Sequence, residues 1–269
     1  MFGIFKILRL TRGFLVLSRE KDLIPENLIR SLPASIKIFL KVIPSNKKSN
    51  LSESLQKLGP TWIKMGQFLS TRPDIIGNKL SIHLRGLQDS LPPFDKKHVE
   101  QAFIESFGED YKKKFKKIDE PIAAASIAQV HKAIIKSDGK SQTVAVKILR
   151  PNIEGKIKKD LNDFYLAAKI LEKFSSEARR LRVLEIVKTL EESLSMEIDL
   201  RLEAAAQSEI IDNTKNDDFI EIPKIFWDLT SKNILTTQWV NSHSSKDLIK
   251  IKKKNINFNS VGENIMKTF

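Results

Sequence analysis

The sequence predicts an α+β protein, with a helical N-terminal extension leading into an antiparallel sheet that carries a long acidic helix. Three patterns predict it. Apolar residues alternate over 127–135 and again over 143–149, and the polar run Ser137-Asp138-Gly139-Lys140-Ser141 between them reads as the turn of a β-hairpin. From about residue 183 to 211, leucine and isoleucine recur at three- and four-residue spacing, which predicts one long helix. Finally, Gly59-Pro60 and Pro73 bracket a helical pattern over 60–72.

Each element carries a residue that its local pattern does not explain. In the second strand, Thr143-Val144-Ala145-Val146-Lys147-Ile148-Leu149, a lysine stands mid-strand among apolar neighbours. Its ammonium is costly to bury unless a carboxylate or phosphate meets it, so the strand asks for an anionic partner. An edge-strand lysine directed to water is the alternative. The long helix carries Glu197, Asp199 and Glu203. On a continuous helix Asp199 and Glu203 share a face, while Glu197 and Asp199 diverge by about 200°. A solvated face with Glu197 paired to Arg201 would account for Glu197 alone. It accounts less well for Ala204-Ala205-Ala206, small residues that let a helix press against a neighbouring strand.

In the N-terminal helix, Lys64 and Gln67 lie three apart on one face of an otherwise apolar segment. Gly66 costs roughly 1 kcal/mol relative to alanine in a helix interior, so something requires the missing Cβ. Close packing and an approach to an acidic or nucleotide group are both consistent with it.

Taken in order, Lys64-x-Gly66-Gln67, Ala123-Ala124-Ala125-Ser126, Val144-Ala145-Val146-Lys147 and Glu197-x-Asp199 with Glu203 resemble the UbiB family of atypical kinase-like proteins. The phrases Ser70-Thr71-Arg72-Pro73-Asp74, Leu87-Gln88-Asp89-Ser90-Leu91-Pro92-Pro93-Phe94 and Ser126-Ile127-Ala128-Gln129-Val130-His131 are also similar to family sequence, so the resemblance covers the chain from about residue 55. It implies that the sheet belongs to a protein-kinase-like small lobe. By resemblance, Lys147 contacts the phosphates of ATP or ADP and Glu203 is its helix partner. Ala123, Ala124, Ala125 and Ser126 take the place of the glycine-rich loop; alanine keeps the backbone N–H donors but largely forgoes positive φ, which implies a stiffer loop. Lys64, Gly66 and Gln67 imply a regulatory helix across the nucleotide, with Lys64 near Glu197 and Asp199. The strand over 232–241 resembles the last small-lobe strand running into the hinge, with Thr237 at the back of the pocket and Gln238 to Val240 offering backbone groups to the base.

The resemblance divides the chain into a helical extension over 1–117, a small lobe over 118–241 with an inserted helix near 160–174, and the start of a large lobe over 242–269. No H-x-D catalytic loop, metal-binding asparagine or D-F-G stands in the sequence. The expectation is therefore a fragment without the catalytic lobe, unable to turn over ATP alone, with Mg bound only by the full-length protein.

Composition constrains partners. The formal charge of +13 favours anionic surfaces, and the absence of cysteine excludes disulfide and thiolate chemistry. His83, His98, His131 and His243 make no metal-ligand spacing, and no apolar run is long enough to span a bilayer. The basic runs at 112–117 and 250–254 could in principle bind nucleic acid. They lie in separate segments, and Tyr111 and Phe115 alternate with the lysines as core-facing residues would, so a solvated face is expected and nucleic acid is not. Residues 1–18 mix Lys6, Arg9 and Arg12 with Phe, Ile and Leu, which fits a packing helix or an interfacial one. The resemblance adds ubiquinone biosynthesis, an anionic membrane surface, polyprenyl or quinone precursors or their enzymes as partners, and a cytoplasmic location peripheral to the inner membrane. A non-catalytic module that binds nucleotide or lipid and organises a membrane-associated complex is the alternative.

Overall fold

A computed structural model describes residues 11–13, 15–16, 18–20, 26–31, 34–44, 51–85, 87, 91–137, 139–242 and 257–268. The expectations for residues 1–10, Asp138, His243 and 250–254 lie outside them. The N-terminal helices are α1 (Glu26–Ser31), α2 (Ala34–Val42), α3 (Leu51–Leu58), α4 (Pro60–Ser70), α5 (Pro73–Ile76) and α6 (Asn78–Arg85). Then come α7 (Lys96–Phe107), α8 (Tyr111–Lys114), β1 (Phe115–Ala124), β2 (Ala128–Ser137) and β3 (Lys140–Leu149). They are followed by α9 (Ile153–Phe174), α10 (Ser176–Leu181), α11 (Val183–Glu197), α12 (Leu200–Asn213), β4 (Ile234–Gln238) and α13 (Phe258–Thr268). Among the described residues, no helix is long and apolar enough to cross a membrane.

The chain divides into two discontinuous units. The first comprises Met1–Pro93, Ala124–Ala128 and Arg150–Ile198. Its core is built where α3, α4 and α6 meet, from Leu51, Leu55, Ile63, Ile76, Leu84 and Leu87. Pro60 opens α4 because the missing N–H would be unsatisfied in the first turn anyway, and Gly59 before it takes φ +115°. Trp62 on α4 meets Phe164 on α9 edge to face, with ring centroids 4.8 Å apart.

The second unit comprises Phe94–Ala123, Gln129–Leu149 and Asp199–Phe269. Its four-stranded sheet has the order β1-β2-β3-β4, so neighbours in the chain are neighbours in space. Along β3, Val144, Val146 and Ile148 are buried while Ala145 and Lys147 are half-buried, the alternation that a one-sided core requires. β4 pairs antiparallel with β3 and sets Lys147 opposite Leu235 and Ala145 opposite Thr237. Phe103 of α7 is wholly buried in that core, stacked on Tyr111 at 5.1 Å and edge-on to Phe115 at 4.8 Å. Tyr111 and Phe115 thus point inward while Lys112, Lys113 and Lys114 stay exposed, as their alternation predicts.

Four points of the sequence reading are corrected. The pattern over 183–211 is two helices, α11 and α12, because Asp199 has φ −124° and ψ 95° and its carboxylate caps α12 by accepting from Arg201 N. Local capping by a short acidic side chain outcompetes helix continuation there, so Asp199 and Glu203 do not share a face of one helix. The alanine run contributes less than its composition suggests: Ala204 is fully buried, but Ala205 and Ala206 are exposed. Residues 115–124, which carry lysines and Pro121, form a strand that the sequence reading does not contain. β1 stands at the end of the strand order, and an edge strand tolerates both lysine and proline because one side of its backbone needs no partner. At the other end, the strand expected over 232–241 is confined to Ile234–Gln238.

Candidate functional site

Lys147 reaches from β3 to Glu203 on α12, its Nζ donating to both carboxylate oxygens at 2.7 and 2.9 Å. The side chains are 30% and 44% exposed, so the pair is open enough to exchange the carboxylate for another anion without burying a bare charge. Glu203 faces the strand because α12 is fixed at its start: Leu200 and Ala204 are buried to the last percent, and Leu200 N donates to Lys232 O at 3.0 Å. At the far end, Gln207 Nε2 donates to Pro223 O at 2.7 Å.

After β4 the chain meets much of its own hydrogen-bonding demand. Gln238 N donates to Lys224 O at 2.8 Å, Gln238 Oε1 accepts from Lys224 N at 3.3 Å, and Trp239 N donates to Thr143 O at 3.3 Å. Among the described residues, the backbone N–H of Val240 has no acceptor. Val240 is exposed, and Trp239 carries Lys132 over its ring at 4.8 Å.

In the other unit, Lys64 of α4 meets Glu197, the last residue of α11, at 2.6 Å. Lys64 is 14% exposed and Glu197 34%. The local reading in which Glu197 pairs with Arg201 does not hold: Arg201 instead forks onto Asp199, Nη2 to Oδ2 at 2.6 Å and Nε to Oδ1 at 2.9 Å. Those hydrogen bonds hold the Asp199 carboxyl below its ordinary value, against the opposing effect of burial. Gly66 is buried, and a Cβ there would come 2.8 Å from Leu55 Cδ1 and 2.9 Å from Leu87 Cδ2. The missing Cβ makes room for leucines from α3 and from the segment after α6. Gln67 is half-buried, its carbonyl accepting from Ser70 Oγ at 2.6 Å.

The alanine-rich turn is held by a residue that the sequence reading missed. Ala123 is exposed, Ala124 and Ala125 are half-buried, and Ser126 is buried. Ala125 N donates to Ala128 O at 2.7 Å, so that N–H is engaged within the turn. Arg150 Nε and Nη2 both donate to Ala125 O, at 3.1 and 2.8 Å. The signal available in the sequence was Arg150-Pro151 directly after the lysine strand, a basic residue at a chain reversal.

No group of three His, Cys, Asp or Glu side chains converges to hold a metal ion among the described residues.

An antiparallel sheet with a strand lysine paired to a helix glutamate, joined to a helical extension, is the architecture of a kinase-like small lobe. Residues 86–269 match the family model described as the ABC1 atypical kinase-like domain, and the chain belongs to that family. It is similar to the probable protein kinase UbiB of Marinobacter nauticus, 34% identical over 250 residues that cover 90% of this chain and 45% of that protein. It is likewise similar to the probable protein kinase UbiB of Pseudomonas paraeruginosa, 34% identical over 222 residues covering 82% of this chain and 41% of the relative. The corresponding protein of Shewanella sp. (strain W3-18-1) is 34% identical over 226 residues, covering 81% and 40%. The chain thus spans less than half the length of these relatives.

Proposed function

We propose that the chain is the nucleotide-binding part of an atypical kinase-like or ATPase-like protein that supports ubiquinone biosynthesis. The observation that carries the nucleotide reading is the Lys147–Glu203 pair, a half-exposed cation with its carboxylate partner on a strand whose apolar residues would otherwise leave it unexplained. In this reading Lys147 contacts the phosphates of ATP or ADP and Glu203 orients it. Backbone donors of Ala123 and Ala124 add to the phosphate contacts, with Ala125 bonded within the turn and the buried Ser126 supporting it from behind. The Gln238 carbonyl and the Val240 N–H take the edge of the base, an accept-then-donate order that fits the engaged N–H groups of Gln238 and Trp239. In the full-length protein, Mg bound with the nucleotide would supply charge neutralisation at the phosphates.

Lys64, Gly66, Gln67, Glu197 and Asp199 act as the regulatory set: the Lys64–Glu197 bond ties α4 to the end of α11, and Asp199 starts the helix that carries Glu203. The quinone pathway, polyprenyl or quinone precursors and their enzymes as partners, and the cytoplasmic face of the inner membrane as the location all come from the resemblance to the probable protein kinases UbiB. The +13 charge supports an anionic membrane surface.

Calorimetric titration of the chain with MgATP and MgADP tests the nucleotide reading. Lys147→Met and Glu203→Gln are expected to weaken binding by about tenfold or more, the loss of one charge-assisted contact. Affinity equal to the parent in both variants, or no binding by the parent, overturns it. For the pathway, Lys147→Met in the chromosomal copy is expected to lower cellular ubiquinone; unchanged ubiquinone removes that assignment.

A further inference from the structure

We propose that Arg150 is a positioning residue that presets the alanine-rich turn at 124–128. The proposal rests on the reading of that turn as a phosphate-contacting element. Arg150 holds the turn from two directions. Its backbone N donates to Ile127 O at 2.8 Å, while its guanidinium donates twice to Ala125 O, at 3.1 and 2.8 Å. The same Nη2 also reaches Pro92 O at 2.9 Å, and Leu91 N donates to Ala124 O at 3.3 Å. One arginine thus bridges the turn to the segment at 91–92, with the carbonyls of Ala124, Ala125 and Ile127 all engaged.

The residue type matters. A guanidinium presents a planar fork of donors that can serve two carbonyls at once, whereas a lysine ammonium is a compact point charge. The chain also reverses here: Pro151 follows, and Asn152 takes the left-handed conformation at φ 54° as α9 begins. That reversal brings the Arg150 N–H and side chain to the same turn.

This changes the physical account of the alanines. No residue from 123 to 128 has a positive φ, so the turn uses no conformation that glycine alone would supply. Alanine is unstrained there, and its restriction of the backbone does not itself select one arrangement of carbonyls and N–H groups. The Arg150 tether does. With the carbonyls drawn to Arg150 and Leu91, the turn keeps one set of donor directions whether or not nucleotide is present.

Hydrogen exchange without nucleotide tests the tether independently of any nucleotide binding. In Arg150→Ala, the amides of Leu91 and Ala125 are expected to exchange about tenfold faster, with amides of β3 and β4 unchanged, since local opening leaves the rest of the sheet intact. Arg150→Lys, which retains the charge and loses the fork, should fall between. Unchanged exchange at Leu91 and Ala125 in Arg150→Ala overturns the proposal, as does an equal rise throughout the sheet, which would make Arg150 a residue of general stability. The positioning role is read from the ratio of MgADP to MgATP affinity. That ratio should change about fivefold in Arg150→Ala and return partway in Arg150→Lys, because a displaced donor set no longer distinguishes two from three phosphates. A constant ratio overturns the role. If the parent binds neither nucleotide while the exchange pattern is as expected, the nucleotide reading fails and the tether stands.

Discussion

Lys147 and Glu203 are 56 residues apart in the chain, and the ammonium of one donates to both carboxylate oxygens of the other at 2.7 and 2.9 Å. Since both side chains keep solvent access, the pair is expected to contribute little to folding and much to anion binding. A double-mutant cycle with Lys147→Met and Glu203→Gln, followed by urea denaturation, should give a coupling energy of about 1 kcal/mol or less. A coupling of several kcal/mol would mean that the pair is a structural bond.

The Lys64–Glu197 bond is more enclosed, with Lys64 only 14% exposed. Lys64→Met alone leaves the Glu197 carboxylate without this partner and is expected to cost about 1–3 kcal/mol in denaturant unfolding. Adding Glu197→Met should recover most of that loss, because an apolar pair of similar size needs no desolvation of charge. A double variant less stable than the single one would contradict this.

Gly66→Ala sets two effects against each other. Alanine favours the helix by about 1 kcal/mol, but its Cβ would press on Leu55 Cδ1 at 2.8 Å and Leu87 Cδ2 at 2.9 Å, and overpacking costs about 1–3 kcal/mol. The buried leucines have little room to retreat, so a lower thermal midpoint is expected. Leu55→Val in the same chain should restore part of it, because the shorter side chain withdraws the methyl that collides. A raised midpoint in Gly66→Ala alone would show that the leucines give way freely.

Asp199 begins α12, and Asp199→Ala is expected to destabilise the chain by about 1 kcal/mol, with Asp199→Asn closer to the parent because the cap acceptor remains. Its native pKa lies below the unfolded value near 4, so its contribution is present above about pH 4 and lost as pH falls through the native value. Unfolding midpoints measured from pH 6 to pH 2 should therefore converge between the parent and Asp199→Ala at the acid end. A difference that persists there would assign the effect to something other than the carboxylate.

The chain has two tyrosines, and neither is expected to titrate normally while folded. Tyr165 is pushed up to about 12 by burial and by donating to Glu191 Oε2 at 2.6 Å, and Tyr111 is raised by burial and by Glu100 and Glu109. For Tyr165 the raised native value contributes stability fully present below the unfolded pKa of about 10 and lost as pH rises towards about 12. Absorbance at the phenolate band should stay flat through pH 10 and rise only with alkaline unfolding. A phenolate appearing near pH 10 in folded protein would contradict both assignments.

The sequence by itself determined the residues whose pattern is local. The β2–β3 hairpin follows from alternation around a glycine turn, and α4 follows from prolines that fit one end of a helix and not its interior. Lys147 was legible as a cation needing a partner because an apolar strand leaves few other ways to keep it. The tertiary structure decided what local pattern left open. Periodicity over 183–211 is the same for one helix as for two, and only Asp199 choosing to cap α12 broke it. Between packing and ligand contact at Gly66, the choice rested on Leu55 and Leu87, which approach it from other elements. Arg150 carried little signal because its function is to serve carbonyls, and every residue has a carbonyl, so no side-chain pattern marks the ones it binds. Partners distant in the chain are fixed by where packing brings the backbone, and a one-dimensional pattern holds that information only where burial or charge leaves a residue unexplained.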